Sequence, residues 1–188
     1  ALQNTVYFVV LTVPTLVLLG LGLALGVNRG LKGSWFLQLI FFSPYLLTVS
    51  VSSLVWAEMF NSEYGVVTYY VTQLLGSSPN WLNSPDFAMP AVALTSIWWT
   101  VGFNFVILLA ARQSVPEELY EAARLDGANI WQAFKLVTLP QMRNSLLFVV
   151  IVQFIASFQI FGQVYVMTQG GPGRATTSRA TTCSEASQ

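Results

Sequence analysis

Four long apolar runs limit what this chain of 188 residues can fold into. They cover residues 5–27, 35–57, 87–111 and 146–167, and more polar segments separate them. A helix needs about 20 apolar residues to cross the hydrocarbon core of a bilayer, and each run reaches that length. The sequence therefore predicts an all-α, polytopic membrane helix bundle with four spans within residues 1–172.

The composition agrees with a membrane protein and excludes other classes. Hydrophobic residues make up 54% of the chain and charged residues 9%, which is more apolar than a soluble core requires. The formal net charge is zero, so we expect no nucleic-acid partner. With no histidine and a single cysteine, Cys183, the chain can form neither an internal disulfide nor a Cys/His metal site.

The distribution of basic residues predicts how the spans are oriented. The connection between the second and third runs, residues 58–86, contains no lysine or arginine. By the positive-inside rule, the third connection, residues 112–143, faces the cytoplasm, where ATP is available. The basic residues that support this orientation lie in the first and third connections: Arg29, Lys32, Arg112, Arg124, Lys135 and Arg143.

The third connection is charged and has the pattern of two short helices joined by a bend. Ser114 predicts the first helix start as a capping box, with its hydroxyl accepting from the Glu117 backbone N–H and Pro116 in the first turn. Gly127 is suited to a left-handed position at the end of that helix. The pattern therefore predicts a helix from Ser114 that ends in a sharp bend at Gly127.

A second start signal follows the bend at once. Asn129, with Gln132 three residues later, repeats the capping-box pattern, and Pro140 is expected to end the second helix. This helix carries an apolar stripe that needs a cover, either the membrane surface, the chain's own spans or another protein. The stripe consists of Ile130, Trp131, Phe134 and Val137.

The third connection also resembles a known family. The string YEAARLDGA at residues 120–128, with TLP at 138–140, resembles the EAA loop of ABC importer permeases, specifically the carbohydrate-type branch of maltose, glycerol-phosphate and multiple-sugar permeases. In that family the loop forms a coupling helix that docks in a cleft of the cytoplasmic ATPase subunit. The resemblance implies that role for Glu121, Ala122, Ala123, Asp126, Gly127, Leu139 and Pro140.

A second stretch carries the same resemblance. FQIFGQVYVMTQGGP, at residues 158–172, is similar to the T-x-GGP signature of the carbohydrate permeases, although many relatives have an acidic residue where this chain has Gly162. The family implies six spans, of which four are predicted here. The polar tail, residues 173–188, is expected to be disordered, and the chain is expected to be a fragment or to end in an altered reading frame.

The fourth run carries hydrogen-bonding side chains on one half of its circumference. Gln153, Ser157 and Gln159 fall on that half together with Gln163, and Asn104 lies in the third run. Neutral amides and hydroxyls suit a polyol, so Gln153, Ser157, Gln159 and Asn104 are candidates for a sugar path. The alternative is hydrogen bonding between helices, which amides commonly provide in membranes.

The second run and the outer connection raise further expectations. The hydroxyls of Ser50, Ser52 and Ser53 are expected to satisfy the carbonyls that Pro44 leaves free. Residues 66–75 are expected to form an interfacial helix. Glu63, Asp86 and the turn at residues 80–82 are candidates for contact with a solute-binding protein.

These patterns predict a non-catalytic permease subunit of an ATP-driven sugar importer that works by alternating access in an inner membrane. The spans carry no Asp, Lys or Arg away from their ends, whereas ion-coupled carriers generally need such groups. The chain would bind no cofactor, and ATP would be used by a partner subunit. The implied partners are cytoplasmic ATPase subunits, a second homologous permease, an extracytoplasmic solute-binding protein and membrane lipid. Two alternatives stay open: the same machinery carrying another solute such as glycerol phosphate or an oligopeptide, and an ion-coupled carrier or channel.

Overall fold

The computed structural model describes residues 2–27, 34–75, 80–159 and 161–168. The regular elements in these ranges are helical, which confirms the predicted all-α class. The residues 170–172 of the GGP signature, the tail at 173–188, and Arg29 and Lys32 lie outside the described residues. The helices are α1 (Leu2–Gly26), α2 (Ser34–Phe42), α3 (Val49–Met59), α4 (Val66–Leu75), α5 (Pro85–Gln113), α6 (Glu117–Leu125), α7 (Ile130–Ala133), α8 (Leu139–Phe158) and α9 (Phe161–Thr168).

Three stretches of unbroken helix in the described ranges are long and apolar enough to cross a membrane. They are Asn4–Gly26, Asp86–Gln113 and Ile130–Phe158. The first two cover the apolar runs at 5–27 and 87–111. A bent pair of helices, Ser34–Leu46 and Val49–Met59, would make a fourth span if it counts as one.

The second apolar run is a broken helix and not a straight one. Its two halves meet at 95°, and the first half ends in a tight 3-10 turn at Ser43–Leu46. Pro44 has no N–H to continue the helix, and the Ser43 hydroxyl donates to the Ile40 carbonyl at 3.1 Å. The expectation is wrong for two of the three serines, because the Ser53 hydroxyl donates to the Val49 carbonyl within its own helix and the buried Ser52 hydroxyl has no partner among the described residues.

Side chains of α5 hold this break in place. The Trp99 indole N–H donates to the Leu47 carbonyl at 3.1 Å, so it satisfies a backbone group in the break. The Tyr45 ring stacks on Phe103 with a centroid distance of 5.0 Å. Gly102 lies directly against the Phe41 backbone, which a side chain would prevent. The geometry of the break therefore depends on packing between α2 and α5.

The fourth run differs from its predicted extent at both ends. A turn of π-helix, Phe134–Thr138, joins α7 to α8, and the Leu139 N–H bonds to the Phe134 carbonyl five residues back. Pro140 lies in the first turn of α8, so the expectation that it ends the helix is wrong. The wider π turn has already shifted the hydrogen-bond register before the proline, whose missing N–H is then tolerated. At the other end α8 stops at Phe158, and α9 is a separate short helix.

Two apolar clusters share α1 and α5 as their common wall. One joins Phe8, Phe60, Val92 and Val164, and the other joins Ala24, Phe105, Leu108, Met142 and Val149. The second cluster includes Val115, the residue between α5 and α6, which is 4% exposed. The segment that carries the family resemblance is therefore anchored in the core.

Candidate coupling segment and polar pathway

The segment that leads into α6 is built differently from its sequence pattern. Ser114 belongs to the end of α5, because its N–H bonds to the Ala110 carbonyl at 3.1 Å and its hydroxyl donates to Ala111 at 2.7 Å. The predicted helix start at Ser114 is therefore wrong, and α6 begins at Glu117 with Pro116 as N-cap. The hydroxyl is used by the turn that precedes it, so it cannot cap the helix that follows.

The bend between α6 and α7 has the predicted form. Gly127 has φ of 75°, a left-handed conformation that favours glycine. The N–H of Asp126 bonds to the Ala122 carbonyl at 3.0 Å, and that of Ala128 to the Ala123 carbonyl at 2.9 Å. These bonds close the end of α6 in the manner of a glycine C-cap.

The start of α7 is also confirmed. The Gln132 N–H donates to the Asn129 side-chain oxygen at 2.8 Å, and the Asn129 N–H donates to the Gln132 side-chain oxygen at 2.8 Å. This reciprocal capping box satisfies two backbone donors at the end of a very short helix. The two local signals together fix the turn that separates α6 from α7.

Most of the proposed docking residues are accessible. Glu121, Ala122, Asp126 and Gly127 are exposed and Ala123 is half-buried, while Leu139 and Pro140 are exposed beside the π turn. The pair of helices also presents three large apolar side chains, which we call the apolar trio: Leu125 at 89% exposure, Ile130 at 88% and Trp131 at 78%. The described part of this chain leaves the trio uncovered, whereas Phe134 and Val137 of the expected stripe turn inward and are half-buried.

Two contacts attach this segment to the helices around it. The Tyr120 hydroxyl lies 2.9 Å from the Thr138 hydroxyl and so joins α6 to the π turn. Arg112 Nη1 donates to the carbonyls of Ala24, Leu25 and Val27 at the end of α1. The contacts of Tyr120 and Arg112 could not be predicted from the sequence, since their partners are distant in the chain and leave no local signal.

Two hydrogen-bonded pairs of polar side chains join helices in this region, and one of them consists of candidate sugar-path residues. The Gln153 amide donates to the Asn104 amide oxygen at 2.8 Å, and both side chains are buried. The Gln163 amide oxygen of α9 bonds to the Ser96 hydroxyl of α5. Ser157 is buried with its hydroxyl on the Gln153 carbonyl at 2.7 Å. The alternative expected from sequence, hydrogen bonding between helices, thus describes how Gln153 and Asn104 are held here.

A small cavity lies beside these pairs. It has a volume of about 70 Å³, and its wall includes Gln153, Ser157, Gln159 and Gln163. The Asn104 Nδ2 and Gln163 Nε2 atoms are buried and have no hydrogen-bond partner among the described residues. Buried amide donors of this kind usually bond to a water or to another polar group. Of the predicted path residues, Gln153, Ser157 and Gln159 line the cavity and Asn104 supports it from behind.

The outer connection packs mainly against its own helices. The centroid of the Trp81 ring lies 5.5 Å from that of Phe60 and 5.8 Å from that of Phe87. The turn that contains Trp81 is also held by the Ser62 hydroxyl, which donates to the Asn80 side-chain oxygen at 3.2 Å. Glu63 and Asp86 are exposed. Contact of these residues with a solute-binding protein stays a prediction.

One tyrosine of the outer connection has a shifted pKa. The Tyr64 hydroxyl donates to Glu58 at 3.0 Å. Because the hydrogen bond and the negative charge of that carboxylate disfavour the phenolate, the pKa of Tyr64 is raised above its usual 10.0. The described residues contain no group of three Asp, Glu or Cys side chains that could hold a metal ion.

Apolar helices of spanning length, with a charged and exposed helix pair at the end of two of them, define a polytopic membrane protein of the transporter type. Residues 3–184 match the model of the family described as "Binding-protein-dependent transport system inner membrane component", so the chain belongs to that family. The family and the spanning helices together make it a multi-pass protein of an inner membrane.

Sugar permeases are among the similar sequences. The trehalose/maltose permease MalF of Thermococcus litoralis is 39% identical over 93% of this chain and 59% of that protein. The sulfoquinovosyl glycerol permease SmoG of Agrobacterium fabrum is 40% identical over 94% of this chain and 58% of that protein. The chain therefore spans about three fifths of the length of these relatives.

Solved structures show the same fold. A bacterial ABC transporter involved in the import of the acidic polysaccharide alginate matches with a TM-score of 0.82. The match covers 94% of this chain and 62% of that chain, at 23% sequence identity. At this identity the likeness establishes the fold and leaves the substrate open.

Proposed function

We propose that this chain is the transmembrane permease subunit of a binding-protein-dependent, ATP-driven sugar importer. The apolar trio carries the proposal: Leu125, Ile130 and Trp131 are exposed beside charged side chains, on a helix pair that is firmly attached to the core. An aqueous protein partner would bury this surface. The chain's own role would be non-catalytic, and a partner ATPase would hydrolyse the ATP.

The names of several relatives support a carbohydrate substrate. MalF of Thermococcus litoralis is a trehalose/maltose permease, and MalF of Vibrio vulnificus, 34% identical over 93% of this chain, is a maltose/maltodextrin permease. The lining of the cavity beside Gln153 is uncharged and combines amides and hydroxyls with apolar side chains such as Phe8 and Trp99, which supports the same substrate class. On this basis Gln153, Ser157 and Gln159 would line part of the sugar path.

The cavity is too small to hold a sugar in this conformation, so the proposed function requires alternating access or a second permease. Ligand pockets usually begin at roughly 300 Å³, whereas the cavity here holds about 70 Å³. A sugar would fit only after the helices around α8 and α9 separate, or where a homologous partner supplies the opposite wall. Closure of the ATPase subunits would move the coupling segment and rock the bundle between outward-open and inward-open forms. A solute-binding protein would deliver the sugar on the outer side.

Two substitutions in the helix pair α6–α7, which we call the coupling segment, test ATPase docking: one reverses a charge and the other strains the backbone. In Glu121→Lys an exposed carboxylate of α6 changes sign, and Gly127→Pro replaces a residue with φ of 75° by one fixed near −65°. We expect both variants to insert in the membrane and to lose the co-purifying ATPase. Matched controls are Glu63→Lys in the exposed outer connection and Gly22→Ala, where an added methyl meets nothing within 4 Å.

The readout is the amount of ATPase that co-purifies per permease from solubilised membranes. Normal ATPase recovery with both Glu121→Lys and Gly127→Pro would refute docking at this segment. Uptake of labelled maltose and of glycerol phosphate into vesicles with and without internal ATP then tests the substrate class. Uptake that persists without ATP would favour an ion-coupled carrier, and ATP-dependent uptake of glycerol phosphate without uptake of maltose would favour the alternative solute.

A further inference from the structure

Arg112 joins two helices that are far apart in the chain. Its guanidinium lies in the last turn of α5 and is half-buried. From there Nη1 reaches the carbonyl oxygens of Ala24 at 3.1 Å, Leu25 at 3.2 Å and Val27 at 3.2 Å. One side chain of α5 thus closes the C-terminal end of α1.

The end of α1 needs such a donor. The last four carbonyls of a helix have no donor within the helix, and a cation near them also interacts favourably with the helix dipole. Ala24 is 0% exposed and Val27 is 6% exposed, so two of the three residues whose carbonyls Arg112 reaches are buried. Capping by Arg112 is therefore a stabilising contact in its own right.

The same arginine stands at the base of the coupling segment. Three residues further on, Val115 enters the apolar cluster that also contains Ala24 and Val27. Past it, α6 is joined to the π turn through the Tyr120 and Thr138 hydroxyls. The segment is thus attached to α1 on one side, through Arg112, and to α8 on the other.

We propose that Arg112 is a positioning residue that makes α1 and the coupling helix α6 move as one unit. The proposal rests on the proposed function, in which an ATPase displaces α6 during each cycle. A guanidinium that holds three carbonyls of α1 transmits that displacement to the first spanning helix. Without the Arg112 side chain, α6 moves and α1 does not follow it.

The distance between a label on α1 and a label on α6 measures this attachment. Leu19 of α1 is 45% exposed, and Glu118 of α6 is exposed and lies outside the apolar trio and the predicted docking residues, so both accept a spin label after replacement by cysteine in a Cys183→Ser background. The distance is recorded by pulsed electron paramagnetic resonance on the purified complex, without nucleotide and after trapping with ATP and vanadate. The compared proteins are the labelled parent, Arg112→Gln, Arg112→Lys and the control Arg143→Gln, which removes an exposed cation from α8.

The parent and Arg143→Gln should give one narrow distance that nucleotide does not shift. Arg112→Gln should broaden the distance and make it shift with nucleotide. Arg112→Lys should lie between these two, because its ammonium keeps the charge and three donors but lacks the planar fork. It also serves as the test variant if Arg112→Gln fails to accumulate in the membrane. A residue that only caps α1 would change the yield of folded protein and not the nucleotide response.

Two results would overturn the role of Arg112. One is a nucleotide-dependent shift in the parent, which would mean that α1 and α6 are not one unit. The other is an Arg112→Gln distance as narrow and unshifted as that of the parent. Loss of the ATPase from the parent itself would instead refute the proposed function. In that case the width of the distance distribution recorded without nucleotide would still show whether Arg112 attaches α1 to α6.

Discussion

Among the glycines that the structure describes, Gly102 is the one at which an added methyl group would come closest to another atom. A Cβ added there would lie 1.8 Å from the Phe41 carbonyl oxygen, 2.5 Å from the Phe41 carbonyl carbon and 2.9 Å from the Phe42 Cα. All three atoms belong to the backbone of α2, so no rotamer change can relieve the contact. Gly102→Ala must push α2 and α5 apart.

The size of the effect follows from two opposing terms. Overpacking in a well-packed core costs about 1–3 kcal/mol, and a contact with rigid backbone belongs in the upper half of that range. Replacing a helical glycine by alanine returns about 0.5–1 kcal/mol through backbone entropy. The free energy of unfolding of Gly102→Ala should therefore fall by about 1–2.5 kcal/mol, which is about a 5- to 70-fold change in the ratio of folded to unfolded protein.

Two glycines of α1 provide graded controls. At Gly22 an added methyl meets nothing within 4 Å, so Gly22→Ala should be neutral or stabilising by up to about 1 kcal/mol. At Gly20 the methyl would lie 3.1 Å from the Asn104 Cβ, so Gly20→Ala should fall between the two. Unfolding by sodium dodecyl sulfate in mixed micelles, followed by tryptophan fluorescence, gives the order. Equal stability of Gly102→Ala and Gly22→Ala would refute the close approach of α2 to α5 at this point.

Three further predictions concern polar contacts. Asn104→Leu and Gln153→Leu should each lower the free energy of unfolding by about 1–2 kcal/mol, since each leaves a buried amide unpaired, and a double-mutant cycle should show that the double variant loses less than the sum. Asn129→Ala should destabilise the start of α7 by about 0.5–2 kcal/mol, seen as faster hydrogen exchange of residues 130–133 with no change in α5. Glu58→Gln should lower the pKa of Tyr64 toward 10.0, because it removes the negative charge that disfavours the phenolate, and ultraviolet titration against Tyr64→Phe should detect the shift.

Local signals in the sequence predicted the parts of the coupling segment that depend on nearest neighbours. The left-handed Gly127 and the capping box of Asn129 and Gln132 involve residues at most five positions apart, and both were read correctly. The Ser114 pattern had the same local form and failed, because α5 continued through it and used the hydroxyl first. A capping pattern predicts a helix start only where no helix already occupies the residue.

The extent of the spans was harder to predict, because proline has opposite effects in different surroundings. Pro44 lies in the 3-10 turn that leads into a break of 95°, whereas Pro140 lies inside a helical stretch that runs from Ile130 to Phe158. What separates the two is packing and hydrogen-bond register. Trp99 and Gly102 of α5 stabilise the break after Pro44. The π turn before Pro140 shifts the hydrogen-bond register, so that the helix tolerates this proline. The sequence around each proline predicts neither the contacts with α5 nor the π turn.

The sequence by itself determined that this chain is an all-α membrane protein, and it identified the exposed helix pair. Both follow from residues close together in the chain, because the length of an apolar run and the hydrogen bonds of a helix cap depend only on near neighbours. Only the tertiary structure decided which contacts unite the parts: Arg112 on the end of α1, Tyr120 on Thr138, and Gln153 on Asn104. These partners lie 18 to 88 residues apart along the chain. Such pairs form because packing of apolar helices brings them together, and no local pattern specifies which polar groups will then meet.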